Sequence, residues 1–512
     1  MATLAPHLDR SLAAPARRGR ALATPVALAA LALATLLFRL GSLWTEQIDW
    51  DEWSFVLMGA DVAQGHLPFV HQFDLKPPLV FFLFGATIAV FGKSLIAIRL
   101  LGAFCILASA ACVYLTARRS AGHWPALAGA MLCAALASAP FGLATSSELP
   151  AIALLSAAVW RLSGWPLGNR DAAFSGILVA LAVLTRTNLA VMALALGTML
   201  LASARMPRSN NTRTAWLSFG LAGLVPPLLL VLVYASAGQL ETLRLAMIDV
   251  PLAYSGQLSA LEVAQQHATQ LYYTAQSAPL LYAPPVLLAF GGGALAVGQL
   301  IQPSSDANRW LAIVLFVVIG AVACSLLIGG AAYPHYWLQL VPFVGLFAAL
   351  GVAGLVQAGK TARWFAVAAA SLPLAAALAT SLPQTSASYT SPRPIAQAAA
   401  HIRHTAGPAP TVWAMHKHLI HWYLDAPQLS RASVHPDNLA RRAIIDTLAA
   451  DGYVGHDEVA RLMSLRPEFV ITDARGKGIA WVREDGKDVD RWLTAHYRND
   501  AQFGDVLVYR RR

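Results

Sequence analysis

Charged residues are scarce in this chain: Asp, Glu, Lys and Arg make up only 12% of its 512 residues, whereas 57% are hydrophobic. With a mean hydropathy of +0.54, this scarcity excludes an ordinary soluble globular protein and indicates an integral membrane protein. The formal net charge of +10 comes from short basic clusters between apolar segments and near the C-terminus. That pattern is typical of oriented membrane helices and argues against a nucleic-acid partner.

Cysteine is also rare. All four cysteines lie inside apolar segments, which leaves no thiol pair in any polar region and no Cys-x-x-Cys metal spacing. We therefore predict that they are small core residues: Cys105, Cys112, Cys133 and Cys324.

About eleven apolar segments are predicted to cross a bilayer, for which roughly 17–25 residues are needed. The first follows a cluster of arginines but is longer than the roughly 7–15 apolar residues of a signal peptide, so we predict an uncleaved first helix. The segments are 21–43, 95–117, 122–141, 147–162, 172–187, 188–204, 215–237, 278–300, 310–331, 336–357 and 363–383.

The segment Pro78–Gly92 decides the topology, because it is apolar but only 15 residues long and begins at a proline pair. If it spanned the membrane, the later basic clusters would face outward, against the positive-inside rule. We therefore predict a juxtamembrane helix. On this topology the outward-facing parts are the loops 44–94, 142–148, 238–277 and 332–335, together with everything after about Pro383.

From Gln384 onward charged residues become frequent and no segment could span, which predicts two domains, 1–383 in the membrane and a soluble domain over 384–512. The segment Thr385–Pro394, rich in Ser, Thr and Pro, is typical of a linker. The soluble domain is predicted to be a small α/β or α+β unit. Its strands are placed at Thr411–Met415, Phe469–Thr472 and Val506–Tyr509, and its helices at 394–404, 437–450, 456–464 and 487–497.

An acidic group lies just beyond the first predicted span: Asp49, Asp51 and Glu52. One interpretation is a solvated acidic loop anchored at the membrane interface by Trp44, Trp50 and Trp53. The other is a general base held at the depth of the lipid head groups, able to take a proton from an acceptor hydroxyl. Spacing alone does not separate the two.

Lys76 precedes Pro77 and Pro78, which a helix start tolerates well. A cation here could bind a phosphate at the interface, or it could be a lysine that anchors a helix end. His66 and His71 precede it in the loop. Two histidines five positions apart are weak support for a metal site, and we predict none.

Glu148 and Arg186 are placed at outward ends of predicted spans, in neighbourhoods with little other charge. Ionisable residues at membrane depth are costly, so both are functional candidates. Arg186 is either an anion ligand or a sign that the predicted topology is wrong at this turn. His335 and Tyr336 lie on another outward turn, where interface anchoring is the simplest account. A last group follows a predicted strand, where alternation would expose two of its members, so that metal binding is not expected: His416, His418 and His421.

These motifs resemble the polyprenyl-phosphate-dependent glycosyltransferases of the GT-C superfamily. Within it they are most similar to bacterial relatives of protein O-mannosyltransferases and of the aminoarabinose transferase that modifies lipid A. The resemblance covers the membrane part. It rests on Asp51-Glu52, Lys76-Pro77-Pro78-Leu79, Glu148 with Pro150, Thr185-Arg186 and Pro334-His335-Tyr336.

Three positions depart from the family pattern. Arg186 stands where many relatives have Lys and Glu148 where many have Asp, and both changes keep the charge. Asp49 adds a third acid beside the expected pair, which leaves the base open between Asp49 and Asp51.

The resemblance implies a GT-C fold of about eleven transmembrane helices plus juxtamembrane helices. It also implies inverting transfer of a monosaccharide from a polyprenyl-phosphate donor to a hydroxyl of a glycolipid such as lipid A or core, an envelope polysaccharide or a protein. The reaction would take place at the outer, periplasmic face of the bacterial inner membrane. The implied roles are catalysis by Asp51 and Glu52, and substrate binding by Lys76, Glu148, Arg186, His335 and Tyr336.

Polyprenyl phosphate is a good leaving group, so one carboxylate as base plus cations for the phosphate would suffice. The resemblance leaves open whether a divalent metal ion takes part. A secondary transporter or lipid flippase is the alternative function. Against it, the candidate charges gather on one face and no inverted repeat is visible. A non-catalytic assembly partner in envelope polysaccharide synthesis would not need the acidic pair and Lys-Pro-Pro together.

Overall fold

The structure, a computed structural model, describes residues 17–204, 214–255, 258–407, 409–474 and 486–512. In that part of the chain, seven helices are long and apolar enough to cross a membrane, and they coincide with seven of the predicted spans. Shorter helices of 14 or 15 residues occupy the other four. The membrane helices are α1 (Arg17–Arg39), α4 (Leu95–Ala117), α5 (His123–Ala137), α6 (Glu148–Leu162), α7 (Asn169–Val183), α8 (Ala190–Ser203), α9 (Ala215–Ser236), α13 (Pro279–Ile301), α14 (Asp306–Ile328), α15 (Val341–Gln357) and α16 (Lys360–Thr390).

The bundle presents apolar side chains to its surroundings. On α9, Leu221, Leu228 and Leu232 are each more than half exposed. A contiguous apolar face of this kind is unfavourable in water and is expected where lipid surrounds a helix. The protein is therefore an integral membrane protein, as predicted.

The predicted outward loops contain more helix than expected. The first holds α2 (Trp50–Ala63) and α3 (Pro78–Phe91). Of these, only α3 was predicted, and its 14 residues agree with a juxtamembrane helix. The predicted loop 238–277 contains α10 (Leu240–Arg244), a π-helical turn (Leu245–Asp249), α11 (Val250–Ser255) and α12 (Ala260–Ser277). Four 3₁₀ segments complete this part: Leu40–Leu43, Pro140–Gly142, Thr187–Leu189 and Pro334–Leu340.

Helices α2 and α3 pack closely because each has a glycine at the crossing. A Cβ added to Gly59 would lie 2.6 Å from Cβ of Phe84, and one added to Gly85 would lie 2.6 Å from Cγ1 of Val62. The first turn of α3 is also tied to the membrane bundle, because the backbone N–H of Leu79 donates to the carbonyl of Leu184 at 3.0 Å. Helices α2 and α3 are thus fixed relative to each other, and α3 is fixed to the membrane bundle.

The C-terminal part is built around a sheet whose four strands, among the described residues, run in the order β1-β2-β4-β3. β1 and β2 are parallel and the other pairs antiparallel. Three strands lie where predicted, whereas β3 was missed because it carries little apolar alternation. The elements are α17 (Pro394–Ala406), β1 (Val412–Ala414), α18 (Ile420–Leu424), α19 (Pro436–Ala440), α20 (Arg442–Ala450), α21 (Glu458–Leu465), β2 (Phe469–Asp473), α22 (Gly486–His496), β3 (Tyr497–Phe503) and β4 (Val506–Arg511).

The membrane part and the C-terminal part share one hydrophobic core, which includes Phe55 of α2, Phe81 of α3 and Trp413 of β1. Their connection is shorter than the predicted linker, because α16 continues to Thr390. The carboxylate of Glu46 accepts hydrogen bonds from the first backbone N–H groups of α17, at Ile395 and Ala396, both at 2.9 Å. This capping contact binds the C-terminal part directly to the end of the first helix.

A matched pair of glycines tests the helix packing. On α13, a Cβ at Gly292 would overlap the carbonyl oxygen of Phe347 on α15, whereas a Cβ at Gly291 would meet no atom within 4 Å. We expect Gly292→Ala to lower the free energy of unfolding by about 3 kcal/mol, the upper end of the range for overpacking. Gly291→Ala should leave it unchanged or raise it by up to about 1 kcal/mol, because Ala favours helix over Gly. Thermal unfolding of the two purified variants in detergent measures both; equal midpoints would contradict the assigned contact.

Candidate active site

A cavity of about 730 Å³ lies where α2, the turns after α7 and α14, and α19 meet. Both polar and apolar side chains line it. The polar ones are Asp49, Asp51, Asp74, Lys76, Arg186, Asn188, His335, Tyr336, His435 and Asp437, among others, and the apolar ones include Ile48, Met247, Pro251, Leu252 and Ile328.

The start of α2 directs its acids to different places. Asp49 is the N-cap residue, and its carboxylate accepts a hydrogen bond from the backbone N–H of Asp51 at 2.8 Å. Asp is among the preferred N-cap residues because its side chain can satisfy such a free N–H. Burial, followed by the nearby charge of Asp51, raises the pKa of Asp49. Asp51 itself lies in the first turn, where the helix dipole favours a negative charge.

The carboxylate of Asp51 is surrounded by nitrogen donors. Lys76 Nζ lies 2.8 Å from its Oδ2, His435 Nε2 lies 3.3 Å from its Oδ1, and His335 Nε2 lies 3.9 Å from its Oδ2. Burial alone would raise the pKa of Asp51, but Lys76 and the two histidines outweigh burial and hold this pKa well below its usual range. Asp51 is therefore a carboxylate at neutral pH.

Lys76 is the cationic partner of Asp51. It sits immediately before the proline pair that begins α3, so its position is fixed by the rigid start of that helix. Burial would lower the pKa of Lys76, but the carboxylates of Asp51 and Asp74 raise it well above its ordinary value. A buried ammonium is thus present where α2 and α3 converge.

Glu148 and Arg186 form a second ion pair beside the first. Glu148 is fully buried at the start of α6. Arg186 also donates to Ser147 Oγ at 3.1 Å, and its guanidinium carbon lies 4.4 Å from the ring centroid of Tyr336. The guanidinium lies on the cavity wall, and its orientation is fixed by three partners: Glu148, Ser147 and Tyr336.

His335 joins the two ion pairs. Its Nε2 lies 3.7 Å from Glu148 Oε1 and within 4 Å of Asp51. The described part of the chain offers this buried nitrogen no hydrogen-bond partner. A ligand in the cavity could supply one, because unsatisfied buried nitrogen is otherwise costly.

Glu52 is not brought into the cavity. Its carboxylate pairs with Arg99 of α4 and accepts the backbone N–H of Thr145 at 2.6 Å. Arg99 in turn donates to the carbonyl of Ser42 at 2.9 Å. Both charged side chains are almost completely buried. The pair therefore ties α2 to α4 and to the segment before α6, behind the cavity wall.

His435 and Asp74 were missed by the sequence analysis. His435 is the N-cap residue of α19, and its Nδ1 accepts the backbone N–H of Asp437 at 3.2 Å. In the neutral ring the proton is therefore on Nε2, which faces Asp51. Burial would lower the pKa of His435, but its hydrogen bond to Asp51 and the charge of Asp74 raise it. The only local signal is a His-Pro pair at a helix start, which is too common to indicate a site.

The other predicted histidine cluster lies away from the cavity. His416, His418 and His421 are all buried, contrary to the expectation that alternation would expose two of them. Burial lowers the pKa of His418, and it lowers the pKa of His421 to about 4. The three rings are core residues of the C-terminal part, and those of His418 and His421 are neutral.

A divalent metal ion does not suit the Asp51 carboxylate. The ammonium of Lys76 already lies at 2.8 Å from Oδ2, and a second, doubly charged cation would be repelled by it. The arrangement instead suits an anion. Lys76 and Arg186 present positive charge to the cavity, while Asp51 presents the one cavity carboxylate whose pKa is strongly lowered.

Comparison with known proteins gives one family match and several similar structures. Residues 75–234 match the family described as dolichyl-phosphate-mannose-protein mannosyltransferase. No curated protein sequence matches the chain. The fold is similar to that of ArnT from Cupriavidus metallidurans bound to undecaprenyl phosphate, with a TM-score of 0.62, 13% identity, and coverage of 96% of this chain and 98% of ArnT.

Two further similar structures are archaeal. The oligosaccharyltransferase of Archaeoglobus fulgidus in its apo form gives a TM-score of 0.58 at 13% identity, covering 96% of this chain and 74% of that one. The same organism's AglB with an inhibitory peptide and a dolichol-phosphate gives 0.52 at 12% identity, covering 94% and 74%. At such low identities the shared property is the fold.

Removing one partner of the Glu52–Arg99 pair should destabilise the protein. We expect Glu52→Ala to cost about 3–5 kcal/mol of unfolding free energy, because a buried guanidinium would lose its counter-charge. The double variant Glu52→Gln with Arg99→Met should recover much of this loss. Thermal unfolding in detergent measures all three proteins. If Glu52→Ala were as stable as the unmodified protein, the structural role of the pair would be wrong.

Proposed function

We propose that this chain, which has the GT-C fold as predicted, is a glycosyltransferase that moves a monosaccharide from a polyprenyl-phosphate donor to an acceptor hydroxyl. The observation that carries the proposal is the Asp51 carboxylate held between Lys76 and His435 in a cavity that is also lined by apolar side chains. The family match over residues 75–234 supports the same class of donor.

The donor phosphate is assigned to Lys76 and Arg186. Both cations are on the cavity wall, Arg186 is buried and the Lys76 side chain is only 16% exposed, so water weakens their attraction for an anion less than it would at the surface. Apolar side chains that line the cavity, including Leu252 and Ile328, offer contacts for the first isoprene units. The undecaprenyl phosphate bound to ArnT is a ligand of the same two-part chemistry.

Asp51 is assigned as the base. The acceptor oxygen forms a bond to the anomeric carbon while the bond from that carbon to the phosphate oxygen breaks. The phosphate keeps the bonding electrons, and the hydroxyl proton passes to Asp51. A carboxylate with a low pKa suffices, because the hydroxyl becomes strongly acidic only as its oxygen bonds to carbon. Attack opposite the leaving phosphate inverts the anomeric configuration.

The remaining predicted residues position these groups. Glu148 holds the guanidinium of Arg186, Tyr336 stacks on it, and His335 lies between the two acids. Glu52 acts at a distance by fixing the first turn of α2 through Arg99, which replaces the direct catalytic role implied by the family resemblance. Developing negative charge on the phosphate is stabilised by cations that need no reorganisation.

The site would face the outer, periplasmic side of a bacterial inner membrane, with domains 1–383 and 384–512 meeting there. This placement leaves Arg118 and Arg119, which follow α4, and Arg309, in the first turn of α14, on the cytoplasmic side. The acceptor would be a hydroxyl on a glycolipid such as lipid A or core, on an envelope polysaccharide or on a protein.

Substitution of the proposed base tests the function. In a deletion strain, Asp51→Asn should lower sugar transfer by at least about 100-fold, because it removes general-base catalysis. Asp49→Asn is the matched control, because Asn is an equally good N-cap and keeps the start of α2 intact. Mass spectrometry of envelope glycolipids, glycans and glycoproteins would show which sugar is lost and from which acceptor. Full transfer by correctly inserted Asp51→Asn protein would rule out the assignment.

The phosphate role of Lys76 is tested with a lysine at the other end of α3 as control. Lys76→Met should raise the KM for the lipid donor by about 10-fold or more and also lower kcat, because a charge-assisted hydrogen bond to the phosphate is lost. Lys93 is half exposed and pairs with Asp425 outside the cavity, so Lys93→Met should leave both constants unchanged. Steady-state kinetics with purified donor measure them, and an unchanged donor KM in Lys76→Met would exclude the phosphate contact.

A further inference from the structure

We propose that Asp61, His66 and His71 form a zinc site at the end of α2 and in the loop that follows it. Nδ1 of His66 lies 2.8 Å from Asp61 Oδ1, and Nδ1 of His71 lies 3.1 Å from the same oxygen. One ligand atom from each of the three side chains lies within 4.8 Å of the others. Three potential ligand atoms therefore already lie close enough together to share one ion.

The types of ligand atom indicate which metal ion the site would bind. Two imidazole nitrogens and one carboxylate oxygen suit Zn²⁺, whereas Mg²⁺ and Ca²⁺ prefer oxygen ligands alone. The side chains of His66 and His71 are 42% and 46% exposed, so an ion can reach them from solution. Water can fill the remaining coordination positions of a three-ligand site.

Backbone geometry preorganises two of the ligands. Asp61 lies in the last turn of α2, and the backbone N–H of His66 donates to its carbonyl at 3.3 Å. Between them Gly65 has a φ of +96°, a conformation that glycine adopts without strain. The chain therefore reverses directly after α2 and returns His66 to the side chain of Asp61.

The third ligand is fixed by contacts to other elements. Phe69 and Phe73, on either side of His71, are buried in the shared core. Tyr234 donates to the carbonyl of Pro68 at 2.8 Å, and Asn438 donates to that of Phe73 at 2.7 Å. A ligand set that is ordered before the ion arrives loses little conformational entropy on binding.

The two histidines could instead be simple hydrogen-bond donors to Asp61. Each neutral ring with a proton on Nδ1 can donate to the carboxylate, and such a cluster would need no ion. The two possibilities differ in one respect that can be measured, because only a metal site requires the negative charge of Asp61 and unprotonated Nδ1 atoms.

Zinc uptake by the full-length protein tests the proposal. Tag-free protein in detergent is stripped with a chelator, titrated with ZnCl₂ and analysed for bound metal, with MgCl₂ and CaCl₂ as separate probes. We expect one Zn²⁺ per chain with high affinity, no comparable uptake of Mg²⁺ or Ca²⁺, and visible absorption bands when Co²⁺ replaces Zn²⁺. The measurement uses neither donor nor acceptor, so its failure would leave the proposed transferase untouched.

Three variants and one control identify the ligands. His66→Ala, His71→Ala and Asp61→Asn should each weaken zinc binding by about 100-fold, because each removes one of three ligands. Asp61→Asn is the decisive variant, since its amide oxygen still accepts both hydrogen bonds and keeps the loop in place. His401→Asn is the control, because His401 pairs with Asp500 at 2.9 Å in the C-terminal part and should bind zinc like the unmodified protein. The proposal is overturned if the unmodified protein binds no zinc or if Asp61→Asn binds it equally well.

Discussion

Three buried carboxylates at one end of the membrane bundle each need a cation within reach, and this requirement governs the local structure. Asp51, Glu52 and Glu148 are paired with Lys76, Arg99 and Arg186, respectively. An unpaired charge in such surroundings would cost several kcal/mol. The pairs join α2 to α3, α2 to α4, and α6 to the turn after α7. The charge balance therefore holds together the elements that enclose the cavity.

The three pairs differ in what they leave available. Glu52 and Arg99 do not line the cavity, and each makes one further contact to the backbone, Glu52 with the N–H of Thr145 and Arg99 with the carbonyl of Ser42. The Asp51 and Arg186 side chains line the cavity wall, so an incoming anion and a hydroxyl could compete for them. The Glu52–Arg99 pair thus contributes to stability, whereas its neighbour Asp51 remains accessible from the cavity. Because both acids lie in the first turn of α2, the Glu52–Arg99 pair also keeps Asp51 in position.

The sequence predicts the spans, the juxtamembrane helix α3 and most of the C-terminal elements, because hydropathy and periodicity are local properties. It does not predict that the side chains of Asp51 and Glu52 point to different places. In the predicted loop the two acids act as a pair. In the structure they lie on α2, where consecutive residues point about 100° apart, so Asp51 faces the cavity and Glu52 faces Arg99. His435 could not be found either, because its approach to Asp51 depends on the packing of the C-terminal part against α2 and α3.

The contribution of the C-terminal part also imposes an order on the making of the protein. A nascent chain that ends before α19 has every membrane helix but lacks His435 and one wall of the cavity. The sheet that supports α19 is completed later still, when β4 inserts between β2 and β3. A chain that ends before β4 therefore has every membrane helix but not the complete sheet that supports α19 and, with it, His435. The cavity that begins in the membrane bundle is complete only when the last strand described has joined the sheet.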